Sequence, residues 1–312
     1  MYYLGIDGGG TKTEFVLTTQ TGVICARVLK SGCNPNDLGV EKSCQVLQDG
    51  IKSLLEENSI LPSEVSIYAG VSGAGVGENA KKMTEKLREV YPCSVVKSDL
   101  TNAVETCLKG EKGIVAICGT GNSCAIYDGE RYKVVGGYGY LFEEGGSGYA
   151  IGKDGAIAVL KAEDGLARDT LLQEYVYQKY GKPLRSALPK LLLGGKAEVG
   201  TICPLVFQGY ENGDSVCRDI IEKHFQYVCE FLRSVKEIYG EKGCKIGFIG
   251  GITENRRFQE TVKRAFAENE VVFGSCKPVY GAVRLAAKSA GKNCDVAFEK
   301  QYEQSWRKLQ NA

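Results

Sequence analysis

The stretch Leu4-Gly5-Ile6-Asp7-Gly8-Gly9-Gly10-Thr11-Lys12-Thr13 decides the fold. An apolar run that ends in an aspartate is typical of a buried strand, and three successive glycines end it. Two alternating segments follow, 13–18 and 23–28, separated by the turn Gln20-Thr21-Gly22. This order predicts an antiparallel meander of three strands at the N-terminus.

The glycine turn itself suggests an anion site. Residues without a Cβ atom let backbone N–H groups close on an anionic group, and the Thr11 hydroxyl is a further donor. The turn matches neither the GxxxxGK[ST] nor the GxGxxG pattern, and it leads into a strand, so a helix dipole does not contribute. Taken alone, such a turn is most often a plain hairpin.

Helical and strand patterns alternate through the rest of the chain, and the order of strand, glycine turn and hairpin recurs from residue 113. Strands are predicted at 65–71, 94–97, 113–118, 123–127, 132–135, 245–249 and 271–273. Helices are predicted at 39–57, 78–90, 101–108, 148–161, 165–181, 184–193, 214–239, 254–266 and 279–290. The tail places Phe298, Tyr302, Trp306 and Leu309 on one helical face, which we expect to dock on a domain.

Length predicts two domains, because 312 residues exceed the usual size of a single core. We place the first at 1–112 and the second, with a helical insertion, at 113–312, the C-terminal helix being free to pack back on the first. A cleft between two domains is a natural ligand site.

Charge and composition exclude several classes of protein. Lys+Arg 39 against Asp+Glu 38 gives a net charge of +1, without long runs of one sign, so nucleic acid is not expected as a partner. The first residues lack a basic region, and no apolar stretch reaches the ~18 residues of a membrane span. We therefore expect a cytoplasmic protein without membrane contact.

Cysteine and histidine give no sign of a metal site. The 13 cysteines include no CxxC pair and are expected to be small buried hydrophobic residues. The single histidine, His224, lies in a helical pattern and is expected to have no nearby partner. Any general base is therefore expected to be a carboxylate.

Several motifs in register suggest a family. Asp7–Thr11, Ser98-Asp99, Gly119-Thr120-Gly121 and Gly250-Gly251 follow the order of the two phosphate loops, the catalytic carboxylate and the adenosine loop of sugar kinases with an actin-like ATPase fold. The chain resembles the N-acetylglucosamine kinase-like members of the BadF/BadG/BcrA/BcrD-type ATPase family, from Gly5 to about Ala287. The resemblance implies an α/β fold with two actin-like, ribonuclease H-like domains and a ligand cleft between them.

The resemblance also implies the chemistry: ATP- and Mg²⁺-dependent phosphorylation of an amino sugar, N-acetylglucosamine to its 6-phosphate, with Asp99 as general base and Asp7 as metal ligand. The implied ATP-binding residues are Gly8, Gly9, Gly10, Thr11, Lys12, Gly119, Thr120, Gly121, Gly250, Gly251 and Asn255. The implied sugar-binding residues are Asn34, Ser72, Gly73, Asp99, Asn122, Ser123, Gly137, Tyr138 and Glu144.

Four of these residues have simpler interpretations. Asp99 precedes a predicted helix and could be an N-cap. Asn34 precedes Pro35 and could be a turn residue. Gly250-Gly251 could be a tight strand-to-helix turn.

The sequence departs from the family pattern around the sugar. Where the family reads Gly-Asp-Glu-Gly-Ser, this chain reads Glu143-Glu144-Gly145-Gly146-Ser147, so the sugar-binding aspartate falls on Glu144. Tyr138 stands where tryptophan is common, and Asn122-Ser123 reverses the usual order. The choice among N-acetylglucosamine, N-acetylmuramic acid, glucosamine and glucose stays open.

Two other functions share this superfamily. The ATPase activators of 2-hydroxyacyl-CoA dehydratases and benzoyl-CoA reductases hold an iron–sulfur cluster through one cysteine beside a glycine loop and another further on. Here Cys118 immediately precedes Gly119, but Cys124 and Cys203 do not follow the activator pattern. A non-catalytic sugar sensor is disfavoured because Asp99 is retained and no helix-turn-helix pattern precedes residue 1. The zinc-binding cysteine cluster of related repressors is missing, so zinc is not expected. A homodimer is common in this fold and is a possible assembly of the chain.

Overall fold

The computed structural model describes residues 1–240, 243–274 and 276–310. The chain divides into two compact units: unit 1 is Met1–Glu111 with Gly274–Ala312, and unit 2 is Lys112–Phe273. In the described residues each unit contains a five-stranded mixed sheet with helices. The predicted α/β class is confirmed.

The sheet of unit 1 begins with the predicted meander. Its strands are β1 (Tyr2–Gly8), β2 (Lys12–Thr18), β3 (Ile24–Ser31), β4 (Val65–Val71) and β5 (Ser94–Ser98), in the spatial order β3-β2-β1-β4-β5. The first three strands pair antiparallel, and β4 and β5 continue the sheet parallel to β1. The carboxyl ends of β1, β4 and β5 therefore lie along one edge, where open α/β sheets bind ligands.

The first helices of unit 1 are α1 (Pro35–Leu38), α2 (Val40–Glu57), α3 (Asn79–Arg88) and α4 (Leu100–Leu108), with a 3-10 turn at Pro62–Glu64. Helix α2 buries Cys44, Leu47, Ile51 and Leu54, which recur at intervals of three or four residues and pack into one hydrophobic core.

The sheet of unit 2 repeats this topology. Its strands are β6 (Gly113–Cys118), β7 (Asn122–Tyr127), β8 (Tyr132–Gly136), β9 (Lys245–Ile249) and β10 (Val271–Phe273), in the spatial order β8-β7-β6-β9-β10. Strands β6–β8 form an antiparallel meander, and β9 and β10 continue it in parallel. The recurring sequence order thus corresponds to a recurring sheet.

The helices of unit 2 are α5 (Gly148–Glu163), α6 (Leu171–Tyr180), α7 (Leu184–Gly200), α8 (Cys203–Glu211), α9 (Ser215–Tyr239) and α10 (Arg256–Ala265), with a 3-10 turn at Gly251–Glu254. The predicted start of α6 at residue 165 was wrong, because Gly165 has φ 70° and Thr170 caps the helix. Helix α8 was missed, although Pro204 at its start is a typical helix-initiating signal.

The C-terminal segment returns to unit 1 as α11 (Pro278–Ser289) and α12 (Val296–Gln310). Gly281 allows the approach of α11 to α4, since a Cβ there would lie 2.0 Å from the Asn102 carbonyl oxygen. The buried ion pair between Arg284 Nε and Glu105 Oε1, at 2.9 Å, ties the same helices. Residues from Gly274 onward are thus grouped with unit 1, whereas the sequence division placed them in the second domain.

The predicted docking face of α12 is largely buried within unit 1. Phe298 and Tyr302 are buried and Trp306 is half-buried, whereas Leu309 is 43% exposed. Most of the cysteines are buried as expected, but Cys25 and Cys93 are exposed.

Candidate functional site

In unit 1 the predicted site residues gather at the carboxyl edge of the sheet. Asp7 ends β1, Ser72 follows β4 and Asp99 follows β5. The backbone N–H of Ser72 donates to the Gly8 carbonyl at 2.7 Å, and that of Asp99 donates to the Val71 carbonyl at 3.3 Å. These bonds fix the three strand ends relative to one another.

The first glycine turn presents unused donors beside this edge. Gly9 N–H donates to the Lys12 carbonyl at 2.9 Å, and Gly9 accepts from the Cys33 N–H at 3.0 Å. No acceptor among the described residues is recorded for the N–H groups of Gly10 and Thr11, which are exposed. Free N–H groups in a turn without side chains are what an anion site requires, and the anion site stays a prediction.

Asp7 is a half-buried carboxylate with a perturbed pKa. Its Oδ1 accepts from Asn102 Nδ2 at 2.9 Å. Burial raises the pKa of Asp7 to about 7 against the lowering effect of the Asn102 bond, and the charges of Asp99 and Glu14 raise it further. A carboxylate that is costly to ionise without a nearby cation suits a cation ligand.

Asn102 is a site residue that sequence reasoning missed. It is fully buried, and Nδ2 also donates to the Ile6 carbonyl at 3.1 Å. Its Oδ1 is buried without a hydrogen-bond partner among the described residues. Gly70 makes room for this amide, because a Cβ there would lie 2.3 Å from it. The available signal was a polar residue on the first turn of the predicted helix, three positions after Asp99.

The Asp99 carboxylate is partly buried and has hydroxyl donors beside it. Ser98 Oγ donates to Oδ1 at 3.2 Å. Burial raises the pKa of Asp99, and hydrogen bonds from Ser98, the Leu100 N–H and Ser72 partly offset it. Asp99 is at the N-cap position of α4. Apart from the bond with the adjacent Leu100 N–H, its side chain makes no capping hydrogen bond, so the N-cap interpretation does not account for the carboxylate.

Asn34 and Gly73 lie together beside this edge. Asn34 Oδ1 caps α1 by accepting from the Asn36 N–H at 2.9 Å, as the turn-residue interpretation predicted. Gly73 has φ 81°, and a Cβ there would lie 2.1 Å from Asn34 Oδ1. The sugar contact predicted for Asn34 stays a prediction, for which its Nδ2 is the available group.

In unit 2 the two remaining glycine turns come together at the ends of β6 and β9. Gly250 has φ 118°, and a Cβ there would lie 2.4 Å from the Cys118 carbonyl oxygen. Gly119 N–H donates to the Gly121 carbonyl at 3.0 Å and closes the turn. Asn255, a predicted nucleotide contact, instead uses Oδ1 to cap α10 through the Phe258 N–H at 3.1 Å. That role is structural, and any nucleotide contact would fall to Nδ2.

A pocket of about 240 Å³ in unit 2 contains much of the predicted sugar-binding set. Its lining is Asn122, Gly136, Gly137, Tyr138, Phe142, Glu143, Glu144, Tyr227 and Phe231. Ser123 lies beside it, with its Cβ 3.1 Å from where Gly137 would carry one. Aromatic rings, an amide and two carboxylates provide both apolar and hydrogen-bonding surfaces.

Glu143 organises this pocket, although only Glu144 was predicted. Its Oε1 accepts from the Asn122 N–H and its Oε2 from the Ser147 hydroxyl at 3.0 Å. Burial raises the pKa of Glu143 against the lowering effect of these bonds. Glu144, in contrast, is exposed at the pocket.

The expectation that His224 lacks a partner was wrong. Its Nδ1 accepts from the Gly146 N–H at 3.1 Å, and its Nε2 lies 3.2 Å from Asp154 Oδ2. Burial opposes ionisation of Asp154, but hydrogen bonds from His224 and Lys223 lower its pKa to about 2. The partners lie on other elements, so the helical pattern around His224 could not reveal them.

The described residues were not expected to bind zinc, but the proposed chemistry requires a Mg²⁺ site. They contain no cluster of three or more His, Cys, Asp or Glu side chains arranged as ligands. Asp7 with the unpartnered Asn102 Oδ1 nevertheless fits Mg²⁺, which takes few protein ligands and keeps waters or substrate phosphates. In the same part of the chain, no helix has the length and apolar character needed to cross a bilayer.

A family model described as the BadF/BadG/BcrA/BcrD ATPase family matches residues 4–286. The chain belongs to this family. The matched residues include the carboxyl ends of the strands in both sheets, where the candidate site residues lie.

Curated relatives cover most of this BadF/BadG/BcrA/BcrD chain. Glucosamine kinase GspK of Vibrio cholerae is 27% identical over 252 residues, covering 80% of this chain and 85% of its own. N-acetyl-D-glucosamine kinase of Dictyostelium discoideum is 26% identical over 314 residues, covering 92% and 98%. A Chromobacterium violaceum structure, solved as a candidate N-acetylglucosamine kinase, has TM-score 0.76 at 19% identity and covers 91% and 98%, which supports the fold alone.

Proposed function

We propose that this chain is an ATP-dependent sugar kinase that phosphorylates an amino sugar, with N-acetylglucosamine to its 6-phosphate as the specific reaction. The observation that carries the proposal is the carboxyl edge of unit 1, where an anion-competent glycine turn lies with two carboxylates of raised pKa, Asp7 and Asp99. The kinase names of the two curated relatives support the same reaction class.

Asp99 is the proposed general base. Its carboxylate accepts the proton of the attacking sugar hydroxyl while the γ-phosphoryl group passes to that oxygen and ADP leaves. Hydrogen bonds from Ser72 and Ser98 orient the carboxylate, and its raised pKa makes it a better proton acceptor than an ordinary aspartate. Positioning and electrostatics supply most of the remaining catalysis in phosphoryl transfer.

The glycine turns are the proposed phosphate and nucleoside sites. In unit 1 the free N–H groups of Gly10 and Thr11 are the proposed phosphate donors. In unit 2 the turns at Gly119–Gly121 and Gly250-Gly251 are the proposed nucleotide-binding turns. Mg²⁺, when bound, neutralises charge on the phosphates. Asp7 would hold it, with Asn102 orienting the Asp7 carboxylate.

The pocket of unit 2 is the proposed sugar-recognition surface. Asn122 and Glu144 offer hydrogen-bonding groups, and Tyr138 offers an apolar face to the ring. Glu143 holds the pocket loop through Asn122 and Ser147. A cytoplasmic location and a homodimer belong to the proposal as expectations.

The test is a coupled ADP-release assay with Mg·ATP across hexoses, amino sugars and N-acetylated sugars. Wild type is compared with Asp99→Asn and with the control Asp49→Asn, an exposed aspartate on α2. We expect turnover of an N-acetylated sugar, a loss of about 10²-fold or more in Asp99→Asn as typical of a general base, and no loss in the control. Sugar-independent hydrolysis, or an unaffected Asp99→Asn variant, would move the assignment to an ATPase activator.

A further inference from the structure

Helix α7 is broken close to its end. Gly195 has φ 53° and ψ −139°, a conformation outside the helical region, and it follows Gly194. The chain then resumes a helix through Gly200. A Cβ on Gly200 would lie 3.8 Å from Thr120 Cγ2, so this last turn of α7 runs beside the Gly119–Gly121 turn.

The break places Lys196 against that turn. Lys196 Nζ lies 3.2 Å from the position that a Cβ on Gly121 would occupy. A Cβ at residue 121 would crowd the ammonium group, which would have to shift by a few tenths of an ångström. The absence of a side chain at Gly121 and the break at Gly195 together allow the contact.

Lys196 has no ion-pair partner in the part of the chain that the structure describes. Among residues 1–240, 243–274 and 276–310, no carboxylate oxygen is recorded within 4.0 Å of its Nζ. Glu143 is close enough for the charge of Lys196 to lower its pKa, but its two oxygens are hydrogen-bonded elsewhere, Oε1 to the Asn122 N–H and Oε2 to the Ser147 hydroxyl. Lys190 on the same helix is different, since it pairs with Glu198 at 3.7 Å and lies 5.1 Å from the ring centre of Tyr180.

The groups around Lys196 form a set of donors. The N–H groups of Thr120 and Gly121 have no recorded acceptor in the described part of the chain, and Thr120, which carries a hydroxyl, is an exposed residue. Two backbone N–H groups, a hydroxyl and an ammonium group match a ligand with several charged acceptor oxygens, which is the chemistry of a phosphoryl group.

We propose that Lys196 binds a phosphoryl oxygen of the nucleotide, beyond its α-phosphate, at the Gly119–Gly121 turn. This inference rests on the proposed function only in taking the nucleotide to be ATP. Lysine serves here as a point charge whose position is set by the helix break. Lys196 acts on the phosphate itself and is thus a binding residue of the reaction.

Calorimetric titration of ATP, ADP and AMP without sugar tests the inference. The variants are Lys196→Gln, Lys196→Arg and the matched control Lys190→Gln. Loss of a charge-assisted hydrogen bond predicts that Lys196→Gln weakens ATP binding by about 10- to 100-fold. AMP binding should stay within about twofold, Lys196→Arg should retain part of the ATP affinity, and Lys190→Gln should match wild type.

Several results would overturn the inference. They are unchanged ATP binding in Lys196→Gln, an equal loss for ATP and AMP, or a wild-type protein that binds no nucleotide. An equal loss would assign Lys196 to the local fold. Because no sugar is present, a protein that binds ATP through Lys196 but phosphorylates no sugar would refute the proposed function and leave this inference standing.

Discussion

Asn102 gives the sharpest test of how unit 1 is organised. The substitution Asn102→Ala removes the donor to Asp7 Oδ1, at 2.9 Å, and to the Ile6 carbonyl, at 3.1 Å. It also empties the space against Gly70, where the amide is closely packed. Stability and metal binding should both respond, for separate reasons.

The loss of stability follows from burial. Asn102 is fully buried, so its removal leaves polar groups without a donor and creates a small cavity. Together these effects predict a free energy of unfolding lower by about 2–4 kcal/mol. Thr106→Val is the matched control on α4, because that hydroxyl donates to the Asn102 carbonyl at 2.8 Å and accepts from the Gly281 N–H at 3.0 Å, away from Asp7.

The metal effect follows from the pKa of Asp7. Burial raises this pKa to about 7, and the bond from Asn102 opposes the rise, so Asn102→Ala should raise it further. Protons then compete more strongly with Mg²⁺ for the carboxylate. In wild type, the Mg²⁺ concentration for half-maximal turnover should fall as pH rises from 6 to 8. In the variant, the same fall should occur over a higher pH range. Below that range, Mg²⁺ binding should weaken about tenfold for each unit by which the pKa of Asp7 has risen.

Urea unfolding and Mg²⁺ titrations of ATP turnover at pH 6, 7 and 8 measure the two effects. Thr106→Val should be destabilised yet keep the Mg²⁺ dependence of wild type. The reasoning is refuted if Asn102→Ala and Thr106→Val shift the Mg²⁺ requirement equally. It is also refuted if the pH dependence of Asn102→Ala matches wild type, since Asn102 would then not control Asp7.

Two further substitutions, each with a matched control, test unit 2. Gly250→Ala should lower the free energy of unfolding by about 2–5 kcal/mol and weaken ATP binding, because φ is 118° and the new Cβ would lie 2.4 Å from the Cys118 carbonyl oxygen. Gly251→Ala, with open space around its Cβ position, should be nearly neutral in thermal unfolding, and similar losses in both variants would contradict this explanation. His224→Ala should cost about 2–4 kcal/mol and raise the KM for sugar, because the loop residue Gly146 loses its acceptor. Lys223→Ala, which removes an exposed contact to Asp154, should change stability by less than about 1 kcal/mol, and an unchanged sugar KM in His224→Ala would count against a positioning role.

The sequence predicted those parts of the fold whose signals are local. Each meander follows from an apolar strand, a glycine turn and a short alternating hairpin, all within about thirty residues. No local sequence signal predicts that α11 packs in unit 1. An apolar helical pattern shows that a helix is buried but not which hydrophobic core it packs against. It depends on glycines that are far apart in sequence: a Cβ on Gly5 would lie 2.4 Å from the Val283 nitrogen, and Gly281 lies against α4.

The candidate site divides in the same way. Asp7, Asp99 and the glycine turns stand at strand ends, where motif order is sufficient to find them. Asn102 and Lys196 were missed because each is defined by a partner that only the fold brings near. Gly194-Gly195 is a helix-breaking pair in the sequence. The sequence pattern does not show, however, that the break brings Lys196 close to Gly121.

The altered loop before α5 shows how a binding surface can change while its framework is kept. By resemblance the family carries its glutamate at the position of Gly145, but a Cβ there would lie 2.9 Å from the Tyr227 ring, so this chain leaves little room for one. Glu143 instead supplies the buried carboxylate that holds the Asn122 N–H and the Ser147 hydroxyl.

The exchange has a consequence for the sugar. Because Glu143 is occupied by these two bonds, Glu144 is the carboxylate left exposed at the pocket, beside Tyr138. Glu144 is one methylene longer than the aspartate that the family pattern has at this position, so the proposed contact with a sugar hydroxyl would span a different distance. The proposed function therefore assigns sugar choice to Glu144 and Tyr138 and phosphoryl transfer to the strand ends, which this loop does not alter. We expect the two properties to change independently.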